Sequence, residues 1–252
     1  MSLMLCIHDT LSFLPFLRKS PNLILYFPHL SQHTHTHTHS LFVSSTQKTN
    51  IPPLFFSSID SKHFILNNLL PTYNLLGSDI IDLQLSIFGN ASILNHQTQE
   101  IKCQHGKAEC DANSYEQCLL YSYPHPFQYL PMMQCLYQNL PMGYSDHLMP
   151  ANVFEECAAA SSHSLDFETI ASCHDDTIKS WLLQVYHSDQ TPGEHTFIPW
   201  VEVNGKRVVN YELGILDVIV CKAFIGDGDG NGVIDVCSDL LGEQEDGVAS
   251  IF

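Results

Sequence analysis

The sequence predicts an α/β fold that carries a disulfide-rich helical insertion. Three observations point there. A strand-helix-strand pattern opens near residue 51, and a clear hairpin followed by a helix closes near residue 225. Between them lies a stretch dense in cysteine and proline.

The elements follow in order. Leu54-Phe55-Phe56 is a short apolar run that suits a buried strand, and Ser57 and Ser58 follow as candidate helix caps. Phe64, Ile65, Leu66, Leu69 and Leu70 then fall at helical spacing, and Pro71 is expected to end or kink that helix. Ile80, Ile81, Leu83, Leu85 and Ile87 alternate over most of their length and predict a second strand, closed by Gly89-Asn90. Pro124, Pro126, Pro131, Pro141 and Pro150 punctuate the next stretch, so helices there should be short. Residues 154–160 and 170–186 read as helices. In the second, Ile178, Leu182, Leu183 and Tyr186 are expected to share one apolar face. Residues 198–209 form a hairpin around Asn204-Gly205, the strongest short-range turn signal. A last helix is expected from about residue 212 to 224. The order β-α-β, helical insert, β-β-α is that of a thioredoxin-like fold, and Pro199 sits where such folds carry a cis proline. Out of that context an ordinary trans proline would be the default.

These elements divide the sequence into three parts. Residues 1–50 are an atypical, low-complexity extension that is expected to be disordered. Residues 51–225 are the thioredoxin-like domain, with its insertion at about 92–190. Residues 226–252 are an acidic C-terminal tail. The extension holds apolar bursts broken by Pro15, Pro21 and Pro28, and Arg18 and Lys19 follow the first burst instead of preceding it, so no clear signal peptide is present. No apolar run is long enough for a membrane span. His33-Thr34-His35-Thr36-His37-Thr38-His39 could bind a divalent ion on one strand face, but an alternating His-Thr repeat is also what a translated dinucleotide repeat gives. In the tail, Asp227-Gly228-Asp229-Gly230-Asn231-Gly232-Val233-Ile234-Asp235 resembles the first nine positions of a calcium loop. The twelfth position, which should be Glu, is Ser238, so an acidic solvated tail is the stronger reading and no metal site is assigned.

Composition narrows the function. Lys+Arg is 10 against Asp+Glu 27, a net charge of −17, which excludes nucleic acid as a natural partner. The 15 histidines would offset much of that excess in an acidic compartment. Of the nine cysteines, Cys6 lies in the extension. The other eight are Cys103, Cys110, Cys118, Cys135, Cys157, Cys173, Cys221 and Cys237, an even set that reads as disulfides formed in an oxidising compartment. Their connectivity is open, although Cys237 is well placed to pair with a cysteine near the last helix, such as Cys221. Buried free thiols are the competing reading. Asn90-Ala91-Ser92 is the one N-x-[ST] sequon and fits secretory passage. No P-loop, dinucleotide fingerprint or G-x-S-x-G elbow is present.

The densest chemistry lies between residues 103 and 118: Cys103-Gln104-His105-Gly106, then Glu109-Cys110, Asn113 and Cys118. This spacing resembles the signature of the gamma-interferon-inducible lysosomal thiol reductases, and every specified position matches. Ile81-Asp82-Leu83-Gln84-Leu85-Ser86-Ile87-Phe88-Gly89-Asn90-Ala91, Phe197-Ile198-Pro199-Trp200-Val201 and Val220-Cys221-Lys222-Ala223-Phe224 are similar to further family stretches. The resemblance runs from roughly residue 55 to 237. It implies a secreted or lysosomal glycoprotein without cofactor that reduces disulfides in unfolded or disulfide-bonded protein substrates.

That activity needs a Cys-x-x-Cys pair, and the sequence has none. Counting back from Phe64-Ile65-Leu66-Asn67, the two positions fall on Ser58 and Ser61. In the family mechanism one cysteine attacks as a thiolate and the second resolves the mixed disulfide. A serine hydroxyl can do neither, and here both serines would serve as helix caps. Cys103, Cys110 and Cys118 lack the tight spacing of a redox pair and are expected to clamp the insert. His105, read as a base or metal ligand, is better explained by loop geometry. Two classes of function stand: a disulfide reductase that is impaired as written, or a redox-inactive binding protein for such polypeptides. A mispredicted start to the gene product of an active reductase is the remaining alternative.

Overall fold

The computed structural model describes residues 49–55, 59–139, 151–163, 165–193, 195, 197–209, 215–226 and 235–242. All of these lie in one compact unit, residues 44–252. The histidine-threonine repeat, Ser57, Ser58 and residues 227–234 of the calcium-like loop lie outside the described residues.

Strand β1 (Thr49–Phe55) runs parallel to β2 (Ile81–Ser86). Register slips between Ile51 and Leu54, where Pro52 and Pro53 sit. Proline has no N–H to give a ladder, so the bulge falls where two successive residues cannot donate. The crossover between these strands is helical. It comprises α1 (Ile59–Phe64), a π-helical turn (Ile65–Leu69) and α2 (Leu70–Ile80). Pro71 does not end this helix. It occupies the first turn of α2, directly after the wide turn, where a missing N–H is tolerated. The break comes later, at Gly77, whose φ of 69° no ordinary side chain adopts readily. Phe64, Ile65, Leu69, Leu70, Tyr73 and Leu76 are buried in the main core.

A short antiparallel hairpin follows, β3 (Ser92–Asn95) and β4 (Glu100–Lys102), which the sequence pattern did not announce. Then come five helices: α3 (Lys107–Ser122), α4 (Pro126–Asn139), α5 (Ala151–Ala160), α6 (Phe167–Asp175) and α7 (Thr177–Gln190). Helix α4 is 14 residues long despite Pro131 inside it, so the expectation of short helices fails there. The proline forfeits one backbone bond, while Tyr129, Leu130, Met132, Met133, Leu136 and Tyr137 are buried along the same helix and outweigh that cost.

The helix expected over 170–186 is two helices. Asp176 takes an extended backbone and its carboxylate accepts from the N–H groups of Ile178 and Lys179, capping α7. The expected apolar face of α7 is also not in the core: Ile178, Leu182 and Tyr186 are 66%, 52% and 48% exposed. The residues that α7 buries are Gln184 and His187, with Leu183 partly buried against the core.

The closing elements are β5 (Val201–Val203), β6 (Lys206–Val208) and α8 (Leu216–Gly226). Asn204 and Gly205 both take positive φ, 50° and 71°, the geometry of a tight two-residue hairpin turn. Strand β5 lies beside β1, and α8 packs on α2, β1 and β5. Part of the acidic tail is also folded. Helix α9 (Asp235–Gly242) packs on α8 and places Val236, Leu240 and Leu241 against the core.

Four disulfides cross-link this unit: Cys103–Cys110, Cys118–Cys173, Cys135–Cys157 and Cys221–Cys237. The second spans a sequence separation of 55 and fastens α3 to α6. Loop-closure entropy makes that bond worth about 4 kcal/mol, against about 3 kcal/mol for Cys221–Cys237, whose separation is 16. Replacing both cysteines of each pair by alanine should therefore lower the urea-unfolding free energy more for Cys118/Cys173 than for Cys221/Cys237. Equal losses would show that loop-closure entropy does not govern these bonds.

Two ionisable side chains are sealed in the interior with opposite consequences. Burial pushes the Glu116 carboxyl up to about 8, although the hydroxyl of Tyr137, 3.0 Å away, donates to it and partly opposes the rise. Burial pushes the His187 imidazole down to about 3. As pH rises from about 4.5 to about 8, only the unfolded state ionises Glu116, so stability falls. As pH drops from about 6.5 to about 3, only the unfolded state protonates His187, so stability falls again. The two trends oppose each other between about pH 4.5 and 6.5, where stability should be greatest. Urea midpoints measured across pH should show that acidic plateau, and Glu116→Gln should replace it by stability that rises to about pH 6.5 and no longer declines above it. An unchanged decline in this variant would rule out Glu116 as its source.

Candidate functional site around the helix entrance and the cysteine signature

The sequence marks three places, and β1 and β2 connect them. At the first, β1 leads through three residues into α1. Ser61 lies in the first turn of α1 and is wholly buried. It sits inside the helix and does not cap it, which corrects the capping role expected for it. Ser58 precedes the helix and lies outside the described residues.

The second place is the entrance to β5. The Ile198–Pro199 peptide is cis, and Ile198, Pro199 and Trp200 are buried. Because β5 lies beside β1, the strand leading to α1 and the strand entered through Pro199 are neighbours. Phe197 flanks the proline on one side and Trp200 on the other, their ring centroids 6.0 Å apart. The Arg207 guanidinium covers both rings, at 4.6 Å and 4.3 Å. The Trp200 indole N–H donates to the Glu202 carboxylate at 2.8 Å.

The third place is the signature segment, and its residues act as a brace on the end of β2. Cys103–Cys110 closes the approach to α3. Gly106 has φ of 90° at the helix entrance, which a side chain would strain. Glu109 reaches back, and its carboxylate accepts from the backbone N–H of His105 at 2.6 Å, with the His105 ring nitrogen 3.4 Å away. His105 is thus part of the loop that opens α3. Among the described residues no group of three or more metal-ligating side chains comes together. The Gln104 carbonyl accepts from the Asn90 side-chain amide at 2.8 Å, joining the signature to the turn after β2. Asn113 donates to the Phe88 carbonyl at 3.5 Å.

Residues that sequence reasoning missed complete this brace. The Gln117 amide donates both to the Ile87 carbonyl and to the Gln184 carbonyl, the latter at 3.0 Å. The Ile87 N–H points to Nδ1 of His187 at 3.3 Å, and the Ser86 hydroxyl donates to the His187 carbonyl at 3.0 Å. All five residues are buried. Beyond its last ladder pair, β2 therefore has polar side chains from α3 and α7 standing in for the next strand. The usable signal was polar residues at helical spacing, 113 with 117 and 184 with 187, in segments whose apolar periodicity points elsewhere.

The cysteines fix what chemistry is available. All eight described cysteines are bonded to one another, and Cys103, Cys118, Cys157, Cys173, Cys221 and Cys237 are buried. No described cysteine is a free thiol. Nor does any described helix have the length and apolarity to cross a membrane.

Comparison with known proteins agrees with the signature. The family model for gamma interferon inducible lysosomal thiol reductase matches residues 56–161, a span that includes Ser58, Ser61 and the whole 103–118 segment. The protein is 25% identical over 179 residues to a gamma-interferon-responsive lysosomal thiol protein of Arabidopsis thaliana, covering 69% of this chain and 70% of that protein. It is 28% identical over 182 residues to a gamma-interferon-inducible lysosomal thiol reductase of Mus musculus, covering 71% of this chain and 67% of that one. The corresponding reductase of Carassius auratus is 24% identical over 182 residues, covering 69% of this chain and 68% of that one. Residues 56–161, with their cysteine signature, are thus similar to the gamma interferon inducible lysosomal thiol reductase family.

Proposed function

We propose that this protein is a thioredoxin-like member of its family that engages disulfide-bonded or unfolded polypeptides without carrying out dithiol exchange itself. The observation that carries this reading is the distribution of sulfur. Serines stand at positions 58 and 61, where the resemblance places the redox pair, and every described cysteine is held in a disulfide. A hydroxyl lacks the nucleophilicity of a thiolate and cannot close a disulfide to release product. The thioredoxin-like assignment draws support from the parallel β1-helix-β2 unit, the closing β5–β6 hairpin and the cis peptide at Pro199. With the sulfur chemistry gone, what the fold retains is the strand and proline surface that would hold a polypeptide.

A lysosomal or secreted location fits four disulfides and the names of the relatives. It also fits the acidic stability plateau expected from Glu116 and His187. Asn90 is exposed in the turn after β2 and is the position we assign to an N-linked glycan. A glycosylated asparagine keeps one side-chain N–H, enough to preserve its bond to Gln104.

An insulin-reduction assay at acidic pH tests the central claim. The unaltered protein should show no turnover above the reductant alone, while Ser58→Cys/Ser61→Cys should exceed it by about tenfold or more, because a thiolate replaces a weak nucleophile. Turnover by the unaltered protein that persists after thiol alkylation controls would overturn the reading. Silence from the double variant would instead displace the redox positions from Ser58 and Ser61.

A further inference from the structure

We propose that Arg207, stacked on Phe197 and Trp200, is a carboxylate-recognising residue that sets the sequence preference of the polypeptide surface beside Pro199. This rests on the polypeptide-binding reading above and specifies one contact within it.

The geometry begins with the hairpin. Arg207 on β6 stands directly across from Glu202 on β5. That register would ordinarily give a cross-strand ion pair. Here no ion pair joins them: the ion pairs among the described residues are His105–Glu109, Lys107–Asp111 and Lys179–Asp176. The Glu202 carboxylate instead takes the indole N–H of Trp200. The Arg207 guanidinium turns onto the aromatic faces, 4.3 Å from the Trp200 centroid and 4.6 Å from that of Phe197. In a protein with Asp+Glu 27 against Lys+Arg 10, an arginine that pairs with no carboxylate among the described residues is a departure from the expected pairing.

Stacking engages the face of a guanidinium and leaves its edge, with the N–H donors, available. It also holds the side chain in one orientation, so less rotamer freedom is lost when a ligand arrives. Arg207 is exposed, Phe197 is 37% exposed, and Trp200 is 5% exposed beneath them. The result is a fixed, outward-facing fork on an apolar base, built from residues on both sides of the cis proline. A carboxylate is the complementary group, because two parallel N–H···O bonds match its two oxygens. Either an Asp or Glu side chain or the carboxylate at a polypeptide's C-terminus supplies that chemistry. The net charge of −17 acts against acidic ligands at long range, yet it is screened over about 8 Å in physiological salt, so a contact at bonding distance dominates local choice.

The test exploits the two tryptophans. In a Trp181→Phe background Trp200 is the remaining fluorophore, lying directly under Arg207. Three synthetic peptides of one extended sequence are titrated: one with a central Glu and an amidated end, one with Gln in its place and an amidated end, and the Gln peptide with a free C-terminal carboxylate. We expect the Glu peptide to bind about fivefold tighter than its amidated Gln counterpart, a gap that narrows with added salt. Tightening by the free carboxylate alone would identify the C-terminal end as the natural group. Arg207→Gln should erase the preference while leaving binding of the neutral peptide intact, and Arg207→Lys should restore only part of it. Equal binding of all three peptides, or a preference that survives Arg207→Gln, would overturn this inference and leave the polypeptide-binding reading standing. Failure of any peptide to bind would remove that reading too.

Discussion

The structure turns on a buried backbone carbonyl. Ile87 lies just past the last paired residue of β2 and is fully buried, so its C=O must find a donor inside the protein. The Gln117 side chain supplies it, and is in turn held by Gln184. That demand places a polar residue of α3 and a polar residue of α7 at one point in the core. An unmet carbonyl there would cost about 1–3 kcal/mol, a large share of a domain's net stability. Cys118 follows Gln117 in sequence, and its bond to Cys173 fixes α6 against the same helix. Sulfur and amide thus hold the insertion from two sides of one helical turn.

The family signature becomes intelligible in these terms. Its cysteines, glycine, glutamate and asparagine each have a structural task in this protein. Gly106 provides a backbone conformation, Glu109 closes the turn before α3, and Gln104 and Asn113 reach the loop that leaves β2. These are demands of packing and backbone satisfaction. They are met by residues of the signature itself and by the end of β2, independently of which side chains stand before α1.

The difference between local and non-local demands explains what could be read from the sequence. The β1-helix-β2 unit and the hairpin were legible because period-two alternation and Asn204-Gly205 are local signals with one dominant reading. Helix α7 was misread because Ile178, Leu182 and Tyr186 satisfy the same 3.6-residue period as a core face, and periodicity cannot say which side a helix buries. What decided it was non-local: Ser86 and Ile87, about a hundred residues earlier, needed His187. The persistence of α4 through Pro131, like the passage of the first helix through Pro71, was decided by tertiary burial and by a π-helical turn, neither visible to a rule about proline alone. At the candidate site, Pro199 and the signature were legible as residues. The aromatic-guanidinium stack was not, because Arg207 meets Phe197 and Trp200 only once the hairpin has folded.

Buried ionisable groups give the scaffold a chemical preference of its own. Glu116 sits in an apolar interior with a neutral phenol as its hydrogen-bond donor and no cation paired with it among the described residues. Such a carboxyl is comfortable only as the acid, so the fold is matched to low pH by desolvation alone. His187 imposes the opposite limit, since burial disfavours the charged imidazolium. The tuning to acidity therefore belongs to buried residues of α3 and α7, two helices that also hold the end of β2.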